Sequence, residues 1–212
     1  MARIEAAVFE LLEAVGEDPR RAELAETPRR VAGAYAEFFS GVGVDPLSVL
    51  GELFPLEQAG ATPEPVLVRG IHFRSICEHH LLPFVGTAHI AYVPSDRLIG
   101  LGRLPAVVDV LASRPQLQER LGEQIAETLA EGLDARGVLV VLEASHGCVT
   151  TRGPRQIDST TVTVASRGSL AEPAARAELM ALIGRPDAPA HAGAPAPASP
   201  AAAAHTPGGD PS

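Results

Sequence analysis

Ten consecutive residues, Ser75-Ile76-Cys77-Glu78-His79-His80-Leu81-Leu82-Pro83-Phe84, constrain this chain more than any other stretch. A thiol, a carboxylate and two imidazoles stand in a row with apolar residues on either side. The second of only two cysteines is Cys148, in Ala144-Ser145-His146-Gly147-Cys148, so each thiol has a histidine close by. By spacing, Cys77 and His80 can reach one metal ion, and Cys148 can join them once the chain folds back. Two thiolates and an imidazole suit zinc, and the same set accepts Fe(II) or Co(II). Structural zinc sites take four protein ligands, so a set of three reads as catalytic. Two plainer readings stand beside this one. The cysteines serve equally well as small core residues, or as a disulfide pair. Glu5, Glu10 and Glu13 interrupt the apolar pattern of Met1 to Val15, which is unlike a secretory leader, so a reducing cytoplasm is expected and the disulfide disfavoured.

The net charge of −9 argues against nonspecific nucleic-acid binding, which draws its affinity from neutralised phosphates. It leaves room for a small anion held by a local arginine cluster. All 17 basic residues are arginine, so an arginine standing where lysine is usual needs no special explanation. No apolar run approaches the roughly 18 residues of a membrane span, and neither nucleic acid nor membrane is expected as a partner.

Apolar residues at Ala7, Val8, Leu11, Leu12 and Val15 predict an amphipathic helix over Ile4 to Val15. Thr27 and Pro28 predict the start of a second, with Val31, Tyr35, Phe38 and Phe39 on its buried face. Residues 41–64 read as a connection with room for one short helix. The pattern then turns to strands: Val66 to Phe73 delivering the Cys77 loop, and Gly86 to Val93 returning from it. Leu104 to Leu111 predicts a helix. Ser113 with Gln116 offers a capping box for another helix running to about Leu133. Val138 to Leu142 is a short apolar strand leading into His146, and Thr160 to Ala165 a last, β-branched one. A helix over Glu172 to Ile183 precedes a Pro/Ala-rich tail expected to be disordered, in which His191 and His205 are inert. The order β-β-α-α-β-β after N-terminal helices predicts an α+β fold, an antiparallel sheet with two helices on one side. The expected division is a helical region at 1–64, a catalytic domain at 65–184 and a tail at 185–212.

Four blocks now fall into one order: Cys77-Glu78-His79-His80-Leu81-Leu82-Pro83-Phe84 with Gly86; His89-Ile90-Ala91-Tyr92-Val93-Pro94; Gln116-Leu117-Gln118-Glu119-Arg120-Leu121; and His146-Gly147-Cys148 with Arg152-Gly153. Together they closely resemble GTP cyclohydrolase I, from about Glu26 to Gly168. The resemblance implies the tunnelling fold, in which subunit sheets join into a ring, and a decamer of two pentamers with active sites between subunits. It implies Cys77, His80 and Cys148 as zinc ligands, and Glu119, with Gln118 beside it, as the guanine anchor. A carboxylate suits that task because its two oxygens can meet a base N1–H and an exocyclic amine together. Zinc lowers the pKa of water toward neutrality for attack at C8 of the guanine. His79 and His146 are placed to move protons during ring opening. Formate then leaves, and reclosure gives 7,8-dihydroneopterin triphosphate. Arg30 from a neighbouring subunit, Arg103 and Arg152 match phosphate-binding positions.

One segment departs from the pattern. Gly100-Leu101-Gly102-Arg103-Leu104-Pro105-Ala106 stands where the family typically reads G-L-S-K-x-x-R. Ala106 removes a cation and Gly102 a hydroxyl from the expected triphosphate pocket. A charged hydrogen bond is worth about 1.5–3 kcal/mol, so losing one weakens binding about ten- to a hundredfold. Arg97 or Arg155 is a candidate to replace the missing cation. The alternatives are a paralogue with altered phosphate recognition or a partial reaction in a secondary pterin or deazapurine pathway, and a noncatalytic scaffold that keeps zinc for stability.

Overall fold

A computed structural model describes residues 1–56 and 63–185. The expected disordered tail, with His191 and His205, lies outside the described residues.

Two helices open the chain, α1 (Ala2–Ala14) and α2 (Thr27–Phe38). α1 buries no residue and leaves Leu11 and Val15 exposed. Arg20 ties it down, lying 4.8 Å from the Phe9 ring centroid and pairing with Glu13 at 2.8 Å. Thr27 is the first residue of α2 and not its cap; Glu26 precedes it without a side-chain capping bond, and Pro28 sits inside the first turn. The expected short helix is a 3-10 turn, Pro46–Val49, where Asp45 accepts a hydrogen bond from the Leu47 amide at 3.0 Å. Strand β1 (Leu53–Pro55) follows it.

The main sheet is built on β2 (Val66–Cys77) and β3 (Pro83–Val93), an antiparallel pair with a bulge between Val68 and Ile71. The short β4 (Arg97–Ile99) pairs with β1 in a separate two-stranded sheet. Helix α3 (Arg103–Ala112), the two-residue β5 (Pro115–Gln116) and α4 (Gln118–Leu133) lead back to the sheet. Then come β6 (Gly137–His146), the single turn α5 (Gly147–Thr150), β7 (Thr161–Gly168) and α6 (Pro173–Ile183). The five strands lie in the order β5-β2-β3-β6-β7, antiparallel except where β5 runs alongside β2.

The predicted capping box is absent. Ser113 closes α3, and Gln116 is drawn into β5, where its backbone pairs with Cys77. Its side chain donates to the Leu111 carbonyl and to Gln124 Oε1. Pairing with a long strand satisfies backbone groups that a cap would have left to one side chain.

α3 and α4 cover one face of the sheet. Leu104, Val107, Val108, Leu111, Leu121, Ile125 and Leu129 meet Phe73, Phe84, Ile90, Val140 and Leu142 there. Across the sheet, Ala91, Val93, Leu139 and Val141 pack against Leu170 and Leu179, the latter on α6. Val138 to Leu142 is therefore apolar without alternation because both its faces are buried. Farther along that second face, Val85, Val162 and Val164 are exposed.

Gly86 sits where β3 presses closest on β6. A Cβ there would stand 2.2 Å from the Glu143 carbonyl oxygen and 2.7 Å from the Ala144 Cβ. Gly86→Ala is predicted to lower unfolding stability by about 1–3 kcal/mol through this overpacking. Urea denaturation reads the change, and an unshifted midpoint would contradict the packing described.

Candidate active site

The site forms because β2, β3 and β6 are neighbours whose ends meet. β2 ends at Cys77, and residues 78–82 reverse the chain in a tight turn. The Cys77 amide donates to the Leu82 carbonyl and the Leu81 amide to the Cys77 carbonyl, both at 2.9 Å, with Leu81 in the left-handed region. β3 begins at Pro83, and Phe84 pairs directly with His146 at the end of β6. The chain then bends at Gly147 into α5, which carries Cys148. A Cβ on Gly147 would stand 2.8 Å from the Pro83 carbonyl oxygen, so glycine permits this approach of the two thiol-bearing segments.

Cys77, Cys148 and His146 come together, their ligand atoms all within 4.8 Å of one another. Cys77 is buried, and the other two are half-buried. Donors around one tetrahedral zinc stand about 3.5–3.8 Å apart, given Zn–S near 2.3 Å and Zn–N near 2.0 Å. Closing the cluster by no more than about 1.3 Å therefore suits it to zinc. Burial raises the Cys148 thiol above its ordinary pKa. The neighbouring Cys77, by its charge and its hydrogen bond, acts in the same sense, while the Arg152 guanidinium opposes them. A cation between the sulfurs removes that conflict by binding both as thiolates.

His146 is held from two sides. Its ring stacks on Phe84, centroids 4.7 Å apart and planes 5° from parallel. Its Nε2 lies 2.7 Å from Gln118 Oε1. Gln118 is 1% exposed and gives its amide hydrogens to the Leu142 and Thr161 carbonyls, at 3.0 and 2.8 Å. Its oxygen can therefore only accept, so His146 donates from Nε2 and keeps a lone pair on Nδ1. Burial lowers the His146 pKa below its ordinary value, against a smaller opposing pull from Glu119. Burial thus favours the neutral ring.

A cleft of about 210 Å³ gathers most of the expected residues: Cys77, His79, Gln118, Glu119, His146 and Cys148 line it. Glu119 stands exposed in the first turn of α4, and Gln118 beside it has its side chain committed to the protein. His80 is exposed on the turn, its ring 6.3 Å from that of His79 and nearly perpendicular to it, outside the thiol cluster. Arg152 is exposed just beyond α5. Arg30 lies exposed on α2, and Arg103 opens α3 with its guanidinium over Gly51; neither lines the cleft. Ala106 is half-buried in α3, and Gly102 precedes that helix without a capping side chain. Sequence reasoning missed Phe84 as the support of His146 and Thr161 as an anchor of Gln118. Only the closeness of Phe84 to the Cys77 motif hinted at either.

Among the described residues, three donors gather, two sulfurs and one imidazole nitrogen, and an open cleft adjoins them. That arrangement places the chain with metal-dependent enzymes, since a structural site would close its shell with a fourth side chain. The profile of the family described as GTP cyclohydrolase I matches residues 4–184. The GTP cyclohydrolase 1 of Leifsonia xyli subsp. xyli is 67% identical over 183 residues, covering 86% of this chain and 95% of its own. That of Carboxydothermus hydrogenoformans is 52% identical over 184 residues, covering 86% and 94%. Among solved structures, the archaeosine synthase QueF-Like in the apo form aligns with 52% of this chain and 98% of its own, at 17% identity and a TM-score of 0.41. The chain belongs to the GTP cyclohydrolase I family. Among the described residues, no helix is long and apolar enough to cross a membrane.

In metal-free protein His146 is predicted to titrate below its ordinary value of 6.5. Glu119→Gln lowers it further, because the carboxylate is the influence that favours the charged ring. Folding stability carried by this histidine is present above pH 6.5 and lost as pH falls toward its depressed pKa, since the unfolded chain binds the proton first. NMR of the imidazole protons reads the titration; a midpoint at or above 6.5 would contradict the burial argument.

Proposed function

We propose that this chain hydrolytically opens the imidazole ring of GTP, releases formate and recloses the product to 7,8-dihydroneopterin triphosphate. The observation that carries the reading is one cleft holding the thiol–imidazole cluster, His79 and the carboxylate of Glu119. When bound, zinc supplies Lewis acidity that brings water toward neutral pKa, which hydrolysis at C8 requires. Cys77 and Cys148 hold the ion, with His80 as the imidazole ligand three residues after Cys77. His146 would take and return protons beside the ion, and His79, which lines the same cleft, would serve the same ring-opening steps.

Glu119 anchors the guanine through its N1–H and exocyclic amine. Gln118 contributes by holding His146 in one tautomer. The triphosphate is met by Arg103 and Arg152, with Arg30 from a neighbouring subunit. At about 210 Å³ the cleft is smaller than the roughly 300–1,000 Å³ of ordinary small-molecule sites, which supports a site completed between subunits of a ring, a decamer of two pentamers. One observation favours a second ligand set. His146, and not His80, stands with the two sulfurs, so His146 is the competing third ligand.

Incubation with GTP, followed by oxidative detection of neopterin and a parallel formate assay, tests the function. Equal amounts of the two are expected. Formate alone would restrict the chain to ring opening, and neither product would overturn the reading. Zinc content of two variants settles the ligand set: His80→Ala is expected to lose the metal, while His146→Ala keeps it and loses activity. The reverse pattern would move the ligand role to His146.

A further inference from the structure

The two segments that build the cleft are joined by an ion pair to which the reaction assigns no role. Arg120, in the first turn of α4, forks onto Glu78 with contacts of 2.5 and 3.1 Å, across 42 residues of sequence. Each group shifts the pKa of the other toward the charged state, chiefly through their hydrogen bond. A single exposed ion pair contributes little on its own. This one is reinforced: the Glu78 amide donates to the Gln116 carbonyl at 3.0 Å, and Ile76 and Cys77 pair with Pro115 and Gln116. Backbone and side chain thus fasten the turn residue between Cys77 and His79 to the start of α4 at two points.

The position of Arg120 is costly for the helix. A cation in the first turn opposes the helix dipole, and α4 has no side-chain cap. Glu78 neutralises that cation by pairing with it, and Glu119 in the same turn adds a favourable charge to that end. A bidentate fork also fixes orientation, which a single contact does not. The residues immediately flanking the pair are Cys77 and His79 on one side and Glu119 on the other, all of them lining the cleft.

We propose that Glu78 and Arg120 form a positioning pair that holds the Cys77–Leu82 turn in register with the Gln118–Glu119 segment. The pair touches no reacting atom. It sets the distance between the metal-binding turn and the guanine-binding carboxylate, so the inference rests on the reading given under Proposed function. A loosened fork lets the turn move while the sheet and α4 stay folded.

The test uses zinc-loaded full-length protein carrying Glu78→Gln, Arg120→Gln, both together, or Arg120→Lys. Each single glutamine variant is expected to speed amide exchange at Glu78 and Leu81. It also speeds zinc release to a chromogenic chelator, by about tenfold or more, as loss of an outer-shell partner does. With GTP, kcat falls while KM stays within about twofold. The double variant is no worse than either single, and Arg120→Lys, which keeps charge but not the fork, recovers part of the loss.

Unchanged exchange and zinc release in the single variants would overturn the proposal, as would additive effects in the double. Faster exchange throughout the sheet and α6 would also overturn it, since that outcome marks a general contribution to folding. Exchange and zinc release need no GTP. If the wild-type protein forms no product while the variants still loosen the turn, the functional reading fails and the positioning pair stands.

Discussion

The pairing of β3 with both β2 and β6 is the constraint on which everything else depends. It places the end of β2, the start of β3 and the end of β6 at one corner of the sheet, so two thiols 71 positions apart become neighbours. Phe84 and His146 face each other in that register, and the same register stacks their rings. A slip of one residue would turn His146 to the opposite face and away from the sulfurs. Gly86 and Gly147 matter for the same reason, since each removes a side chain where two backbones must press together.

The corner is finished by the start of α4. The Gln118 amide bridges β6, β7 and the His146 ring, so one buried side chain fixes the histidine's orientation and its protonated nitrogen. Its neighbour Glu119 remains exposed toward the cleft. Two adjacent residues therefore face differently: one into the protein, where it orients His146, the other outward into the cleft. A helix start sends successive side chains in different directions.

Much of this could be read in the sequence, and the parts that could not share a physical cause. The thiols, the histidines and the α+β order were marked by local spacing and periodicity, which survive folding. β6 was expected to end at Leu142, where its continuous apolar run stops, yet it continues to His146 because β3 supplies partners that far. Ser113 and Gln116 carried a sound capping signal, overruled when Gln116 paired with Cys77. The resemblance set Gln118 beside Glu119 in the guanine anchor, and nothing local marked it as buried. Its hydrogen-bond partners within the fold lie 24, 28 and 43 residues away, beyond any local pattern. The Glu78–Arg120 fork was hidden for the same reason. His146 was visible as a neighbour of Cys148, but its grouping with both thiols was not, since the Cys-x-x-His spacing of Cys77 and His80 is the more familiar ligand pattern.

This corner suits zinc held by two thiolates and a histidine, with room left for a reactive water. X-ray absorption at the zinc edge of the loaded protein reads that shell. Two sulfurs at about 2.3 Å and two nitrogen or oxygen neighbours at about 2.0–2.1 Å are the predicted shell. A shell of four sulfurs, or one with no sulfur at all, would contradict the account.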